Sequence, residues 1–369
     1  MRFIATCKLG LESVVAGELR ALGIEIDQVY DARITFFGDE HTLARALLWL
    51  RAAERVLLEV ASFPANSFDE LFEGVKALDW KKYLPRDANI HVNGKSAKSG
   101  LFSVSDCQRI TKKAIVESLR SAYHTQTLPE TGKEVIVEIG MLRDIATLAL
   151  DACGAGLSRR GYRTYNVAAP LSETLGAGLV LLSRYRGDRP LIDPMCGSGT
   201  IPIEAAMIAQ RRAPGLNRPF AAEVWHFLKN DTFKLAREQA NDSILNTPVD
   251  IWGSDIDARS IQLCKQHAKK AGVMLNWAVR DFRELPQQQP GGILITNPPY
   301  GERMMEKKEA QQVYKDMRGA FSGLEGWSLH IITASSEFER LYGLRSSKRR
   351  KLTNGGMPCT LYQYFPKPQ

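Results

Sequence analysis

From residue 190 onward the chain repeats one pattern: a short apolar run of strand length, closed by a polar or acidic residue, then a segment of helical periodicity. The runs fall at 190–194, 249–255, 275–281, 292–296 and 328–333. Short apolar strands alternating with helices fit a parallel sheet covered on both faces, because each parallel return needs a crossover long enough to hold a helix. A last pair, 351–353 and 359–365, joined across Asn354-Gly355-Gly356, reads as an antiparallel hairpin, since Asn and Gly accept positive φ at a turn. The expected fold class is α/β: a doubly wound, seven-stranded sheet ending in an antiparallel hairpin.

The first 155 residues keep a different rhythm. Strand-like runs at 2–7, 29–37, 55–63, 88–92, 134–141 and 145–152 alternate with helices at 11–22, 42–50, 67–78 and 106–121, an α+β pattern. A connector rich in glycine and arginine follows at 154–161. A chain of 369 residues exceeds what one core usually organises, so a division there is expected. Charge divides in the same place, with 19 basic against 21 acidic residues in 1–155 but 30 against 20 in 156–369. The net charge of +8 suits a polyanionic partner. Within the acidic half one basic patch stands out, carrying Lys95, Lys98, Arg109, Lys112 and Lys113. No apolar run approaches the roughly 20 residues that span a bilayer, and the opening lacks a signal-peptide layout, so a soluble cytoplasmic protein is expected. The six cysteines form no Cys-x-x-Cys pair and have no histidine at ligand spacing, which predicts neither a disulfide framework nor a structural zinc.

Asp193-Pro194-Met195-Cys196-Gly197-Ser198-Gly199-Thr200 lies between the first parallel strand and a helix at 201–210. Gly197 and Gly199 let the backbone turn tightly and approach a ligand at the carboxyl end of a strand, where doubly wound sheets bind cofactors. Pro202 stands where a dinucleotide fingerprint has its third glycine, and no lysine follows the second glycine as in a phosphate loop. The loop therefore suits an uncharged or zwitterionic ligand. One strand over, Asp255 is placed to accept hydrogen bonds from both hydroxyls of a ribose. Asp257 reads as the N-cap of a helix at 258–272. After the third strand, Asp281 offers a carboxylate to an adenine amino group, and Phe282 an aromatic face to its ring.

Asn297-Pro298-Pro299-Tyr300-Gly301 follows the buried run 292–296. Two prolines remove backbone donors and fix φ, so the Asn297 amide oxygen and the Pro298 carbonyl can be held toward one point. Two acceptors there would grip both hydrogens of an exocyclic base amine and aim its lone pair, and Tyr300 could stack on the base. Alone, Asn-Pro-Pro-Tyr is as readily a surface turn; behind a glycine loop and two strand-end acids it reads as an amine receptor for methyl transfer. Cys196 is not expected to act as a nucleophile, because amine methylation needs no covalent adduct. His267 reads as ordinary helix surface. The run Lys348-Arg349-Arg350-Lys351 reads as a solvated loop, or as a phosphate contact beside the hairpin.

These residues resemble the class I S-adenosylmethionine-dependent methyltransferases and, more narrowly, the THUMP-domain ribosomal RNA guanine-N2 methyltransferases that act on bacterial 23S rRNA. The likeness rests on 193–200, on Ile203-Glu204-Ala205-Ala206-Met207 and Arg212-Ala213-Pro214-Gly215-Leu216, and on Gly161-Tyr162-Arg163 with Ala169-Pro170-Leu171 and Glu173-Thr174-Leu175. It runs over essentially the whole chain. It implies a ferredoxin-like segment over 1–55, a THUMP RNA-binding domain over 56–155 and a Rossmann-like methyltransferase domain over 156–369, with a linker at 153–165. It implies that Asp193, Gly197 and Gly199 line the methionine end of S-adenosylmethionine, that Asp255 takes the ribose, and that Asp281 and Phe282 take the adenine. Asn297, Pro298 and Tyr300 would receive a flipped guanine. Lys95, Lys98, Arg109, Lys112 and Lys113 would grip the backbone of 23S rRNA or of a large-subunit assembly intermediate. A monomer is expected, with neither metal nor membrane as partner. The alternatives are an adenine-N6 or cytosine-N4 methylase acting on DNA or another RNA, and a non-catalytic RNA-binding assembly factor.

Overall fold

The computed structural model describes residues 1–163, 171–300 and 304–366, with the backbone alone over 304–307. Its first seven-stranded sheet comprises β1 (Arg2–Cys7), β2 (Ile26–Tyr30), β3 (Arg33–Phe37), β4 (Ala53–Pro64), β5 (Asn89–Ala97), β6 (Glu134–Leu142) and β7 (Ile145–Asp151), ordered β2-β3-β1-β4-β7-β6-β5. Helices α1 (Glu12–Ala21), α2 (Glu40–Trp49) and α4 (Val104–Ala122) pack on this sheet, and α3 (Phe68–Lys76) packs on α4. The long β4 makes the sheet continuous: its first half pairs with β1 and its second with β7. The run 29–37, read as one strand, divides into the end of β2 and the whole of β3. Tyr30 pairs with Arg33, and Ala32 turns the chain at φ +57°. Apolar residues on both sides of that tight turn concealed it.

The second sheet comprises β8 (Leu191–Asp193), β9 (Ile251–Asp255), β10 (Asn276–Val279), β11 (Ile293–Thr296), β12 (Ser328–Thr333), β13 (Lys348–Asn354) and β14 (Met357–Tyr364). Its order is β10-β9-β8-β11-β12-β14-β13; β8 to β12 run parallel, and β14 is antiparallel to both neighbours. Between them come α5 (Glu173–Leu182), α6 (Thr200–Ala209), α7 (Thr232–Asp242), α8 (Ala258–Ala271), α9 (Met304–Ala320) and α10 (Phe338–Tyr342). This is the doubly wound sheet with a terminal hairpin that the apolar pattern predicts. The hairpin turn is tighter than expected: Asn354 pairs with Met357, leaving only Gly355 and Gly356, both at positive φ. β13 also starts earlier, so Lys348-Arg349-Arg350-Lys351 is edge strand and not loop. Chain direction across the sheet reverses at β8, with β9 on one side and β11 on the other. The carboxyl ends of β8 and β11 thus frame a crevice where such sheets bind ligands.

One apolar core runs from the first sheet into the second. Buried polar contacts reinforce the junction. The Arg51 guanidinium donates to the carbonyls of Met207 (3.2 Å) and Arg212 (2.8 Å), and Arg160 pairs with Glu204 at 3.4 Å while also donating to the Arg51 carbonyl. Gly10, at φ +89°, lets β13 approach closely, since a Cβ there would stand 2.2 Å from the Lys351 carbonyl oxygen. Among the described residues no helix is long and apolar enough to cross a membrane.

Candidate active site

Adjacent strands bring the candidate residues to one edge of the sheet. Asp193 ends β8, Asp255 ends β9, Asp281 lies just past β10, and Asn297 follows β11. Asp193 is 2% exposed; its Oδ1 accepts from the Thr296 hydroxyl at 2.8 Å and from the Met195 amide at 3.3 Å. Burial pushes its carboxyl up to about 7, with Asp255 acting in the same direction and the two hydrogen bonds opposing. Asp255 closes the glycine loop: Oδ2 accepts from the Gly197 amide at 2.9 Å and Oδ1 from the Asp257 amide at 3.0 Å. A carboxylate has about four acceptor positions, so two remain for a ligand. Asp257 caps α8, accepting from the amides of Arg259 and Ser260.

The loop itself is held from beneath. The Cys196 amide donates to the Ser254 carbonyl at 2.9 Å, the Cys264 thiol to the Gly197 carbonyl at 3.1 Å, and His267 Nδ1 lies 3.1 Å from the Ser198 carbonyl. His267 is fully buried, which corrects its reading as helix surface; burial lowers its pKa. Its position in the stripe Ile261, Cys264, Ala268 and Ala271 was the available signal, since those residues form the inward face of α8. Cys196 lies 3.8 Å from Cys264, and burial raises its thiol pKa strongly, so it is not an activated nucleophile. The two glycines differ. A Cβ on Gly199 (φ +84°) would meet Trp277 at 2.9 Å and Cys264 at 3.0 Å, whereas one on Gly197 (φ +52°) would meet none of the described residues within 4 Å. Gly197 therefore faces the crevice and Gly199 faces protein. A backbone bared to a crevice beside a buried acid and a strand-end carboxylate suits the methionine end and ribose of an adenosyl cofactor.

Asp281 and Phe282 are less open. The Asp281 carboxylate accepts from the Arg283 amide at 2.9 Å and pairs with its guanidinium at 2.8 Å. Phe282 is 6% exposed, makes an edge contact with Phe321 and lies under Arg283 at 4.7 Å. Its ring belongs to the core, so an open stacking face, as expected from the sequence, is not what this conformation presents.

Around Asn297 the hydrogen bonding was not legible in the sequence. The Tyr300 hydroxyl donates to Asn297 Oδ1, and the Tyr314 hydroxyl donates to the Pro299 carbonyl at 2.9 Å and contacts the Thr333 hydroxyl at 2.9 Å. Among the described residues no donor is paired with the Pro298 carbonyl. Gly301, and with it Ala169 and Pro170, lies outside the described residues. In the first sheet, Lys95 is exposed on edge strand β5 and Lys98 sits past its end at φ +52°. Arg109 pairs with Asp106 (3.1 Å), Lys112 with Glu130 (3.2 Å), and Lys113 lies over the Phe72 ring at 5.5 Å. The patch thus spans β5, the following loop and α4, with two of its charges already in surface pairs. Among the described residues no cluster of three or more His, Cys, Asp or Glu could hold a metal ion.

The strand order, the reversal at β8 and the glycine loop on that strand define a Rossmann-like methyltransferase domain of class I. Residues 160–363 match the RMKL-like methyltransferase domain, residues 2–57 the RlmL ferredoxin-like domain and residues 65–151 the THUMP domain. The chain belongs to the RMKL-like methyltransferase family. It is 45% identical, over 99% of its length and 96% of the relative's, to YpsC of Bacillus subtilis strain 168, named as an RNA methyltransferase. Two solved structures are similar over nearly their whole length. One, from Listeria monocytogenes and described by prediction as an N6-adenine-specific DNA methylase, is 42% identical with a TM-score of 0.93, covering 99% of this chain and 96% of that one. The other, the methyltransferase-like SMU.472 in complex with SAH, is 39% identical with a TM-score of 0.93, covering 100% of this chain and 98% of that one.

Proposed function

We propose that this chain transfers a methyl group from S-adenosylmethionine to the exocyclic N2 amine of a guanine in 23S rRNA. The observation that carries the reading is the 2.8 Å hydrogen bond from Thr296 to Asp193, which ties the amine-receiving segment to the cofactor loop. Asp193, Gly197 and Gly199 bind the methionine end of the cofactor, Asp255 its ribose, and Asp281 its adenine, with Phe282 as supporting wall. When bound, S-adenosylmethionine supplies an electrophilic methyl carbon on a sulfonium sulfur.

Asn297 Oδ1 and the Pro298 carbonyl accept the two hydrogens of the target amine, drawing its nitrogen toward tetrahedral geometry and aiming the lone pair. An amide oxygen accepts twice, so the Tyr300 hydroxyl and the amine share Oδ1. Tyr300 thereby fixes which end of the carboxamide faces the base, beside any stacking by its half-buried ring. Tyr314 occupies the Pro299 carbonyl and leaves that of Pro298 for substrate. Positioning is then where most of such a rate enhancement arises, and the proton that the methylated amine sheds passes to solvent along one of these two hydrogen bonds. The THUMP patch from Lys95 to Lys113 holds RNA by its backbone; the surface pairs at Arg109 and Lys112 contribute little and yield readily to phosphates.

The test is incubation of the full chain with undermodified 23S rRNA and methyl-labelled cofactor, followed by nucleoside analysis. N2-methylguanosine is the expected product. Asn297→Ala should lower turnover by at least about a hundredfold while S-adenosylhomocysteine affinity stays within about twofold, because the lost contacts belong to the reacting amine. A second reading, adenine-N6 methylation, is favoured by the name of the Listeria relative. Label recovered in N6-methyladenosine, or only in DNA, would establish it in place of the guanine assignment.

A further inference from the structure

A cavity among the described residues lies away from this crevice. Of about 910 Å³, it opens at the amino ends of β8, β11 and β12, between α1, the end of α5 and the start of β13. Arg184, Arg189, Lys348 and Arg350 line it against one acid, Glu18. Glu18 is spoken for: it accepts from the amides of Arg51 (2.8 Å) and Ala52 (3.0 Å), and burial pushes its carboxyl up to about 7. Lys348 and Arg350 are two apart on an edge strand and so face the same side, toward the cavity. Arg349, between them, faces away and pairs with Glu339 at 3.5 Å. Arg350 is anchored, donating to the Gly10 carbonyl at 2.7 Å, and Arg189 pairs with Asp188 at 3.0 Å. Among the described residues Arg184 and Lys348 have no acidic partner.

The backbone fixes where Arg184 stands. It stands at φ +63°, one residue beyond the C-cap of α5, the position where helices favour glycine. A side chain there costs about 1 kcal/mol relative to glycine. His124 and Arg211 stand likewise one residue beyond the C-caps of α4 and α6, so the conformation alone is no sign of function; at Arg184 it holds a long cation beside three others in one cleft. The plain alternatives are that Arg184 complements the helix dipole and that Lys348 guards an exposed sheet edge.

We propose that this cleft binds phosphodiester groups of RNA, on the far side of the sheet from the cofactor loop. The proposal rests on the reading of RNA as substrate. The cleft gives a bound RNA a second grip, independent of the THUMP patch, and uses part of the basic excess of the C-terminal half.

The test compares the full chain with an Arg184→Gly/Lys348→Ala double variant, using a structured 23S rRNA transcript as probe over a range of salt. Loss of two phosphate contacts should reduce the slope of log affinity against log salt by about 2 and weaken binding by roughly tenfold. S-adenosylhomocysteine affinity should not change. Arg184→Gly alone should raise Tm while weakening RNA binding, a combination that a capping role for arginine does not produce. Wild-type slope and affinity in the double variant would overturn the proposal while leaving the RNA reading intact. Absence of RNA binding by the wild-type chain would overturn both. Binding of millimolar pyrophosphate that the double variant abolishes, with RNA affinity and salt slope unchanged, would assign the cleft to free phosphates and overturn it as an RNA contact.

Discussion

Asp193 is the site residue whose surroundings depart most from those of an ordinary carboxylate, and the departure has a sign. Its folded value is raised from 3.8 to about 7 by burial. A group raised in this way favours the fold fully below its unfolded value, and that contribution is lost as pH climbs through the folded value. Asp193→Asn mimics the protonated form. The ligand-free variant should therefore match wild type near pH 4 and exceed it at pH 8 by roughly 2–4 kcal/mol, measured by urea titration. Cofactor binding should run the other way. In the role proposed for Asp193, the ionised carboxylate is the form that would attract the ammonium of the methionine end, so wild-type affinity for S-adenosylhomocysteine should increase from about pH 6 to 8. In Asp193→Asn the affinity should be weaker and flat. Parallel binding curves for the two proteins would remove Asp193 from the cofactor site.

At the scale of elements, β8, its loop and α6 act with α8 as one unit, and the two glycines of the loop separate stability from binding. Gly199→Ala forces a Cβ into Trp277 and Cys264 at a φ of +84°, so the chain should lose roughly 2–3 kcal/mol even without ligand. Gly197→Ala meets none of the described residues and should cost about 1 kcal/mol through its φ alone, yet on the proposed reading its methyl would enter the space of the cofactor. Thermal melts with and without S-adenosylhomocysteine distinguish them: Gly199→Ala lowers the baseline Tm, whereas Gly197→Ala mainly abolishes the ligand-induced rise. Equal baseline losses would mean that the loop is uniformly structural. The loop was legible in the sequence because glycines between a strand and a helix have few other uses. So were the parallel strands, because burial on both faces leaves continuous apolar runs. What α8 contributes was legible only in part: the apolar stripe marks the inward face on which His267 lies, but not the Ser198 carbonyl that it meets. The β2–β3 turn was hidden, because Asp31 and Ala32 make it without glycine. The contact between Tyr300 and Asn297 depends on rotamers that no spacing specifies.

For the molecule as a whole, the junction between the two sheets is built around ions removed from water. Arg160 and Glu204 are 2% and 0% exposed in their side chains, Tyr162 adds a hydroxyl to Glu204 at 3.2 Å, and burial lowers Arg51 to about 10. Among the described residues, one Glu204 oxygen and one Arg51 nitrogen find no hydrogen-bond partner. Such a cluster is poorly explained as a source of net stability, since desolvation offsets most of the attraction between buried charges. It is better explained as a device for register, because a displaced junction would strand charges in an apolar core. Glu204→Ala should therefore cost about 3–5 kcal/mol by leaving Arg160 uncompensated. The double variant Arg160→Met/Glu204→Met should recover most of that loss, as a matched apolar pair often does. Calorimetry resolves the consequence for architecture. Wild type should unfold in one transition, because the core is continuous across the sheets. Glu204→Ala should split it into two, and the recovered double variant should restore a single transition only if apolar packing suffices to hold the junction. Two transitions persisting at near-normal total stability would show that the charges orient one sheet on the other. The crevice and the basic patch of β5 and α4, carried on different sheets, would then owe their relative placement to Arg51, Arg160 and Glu204.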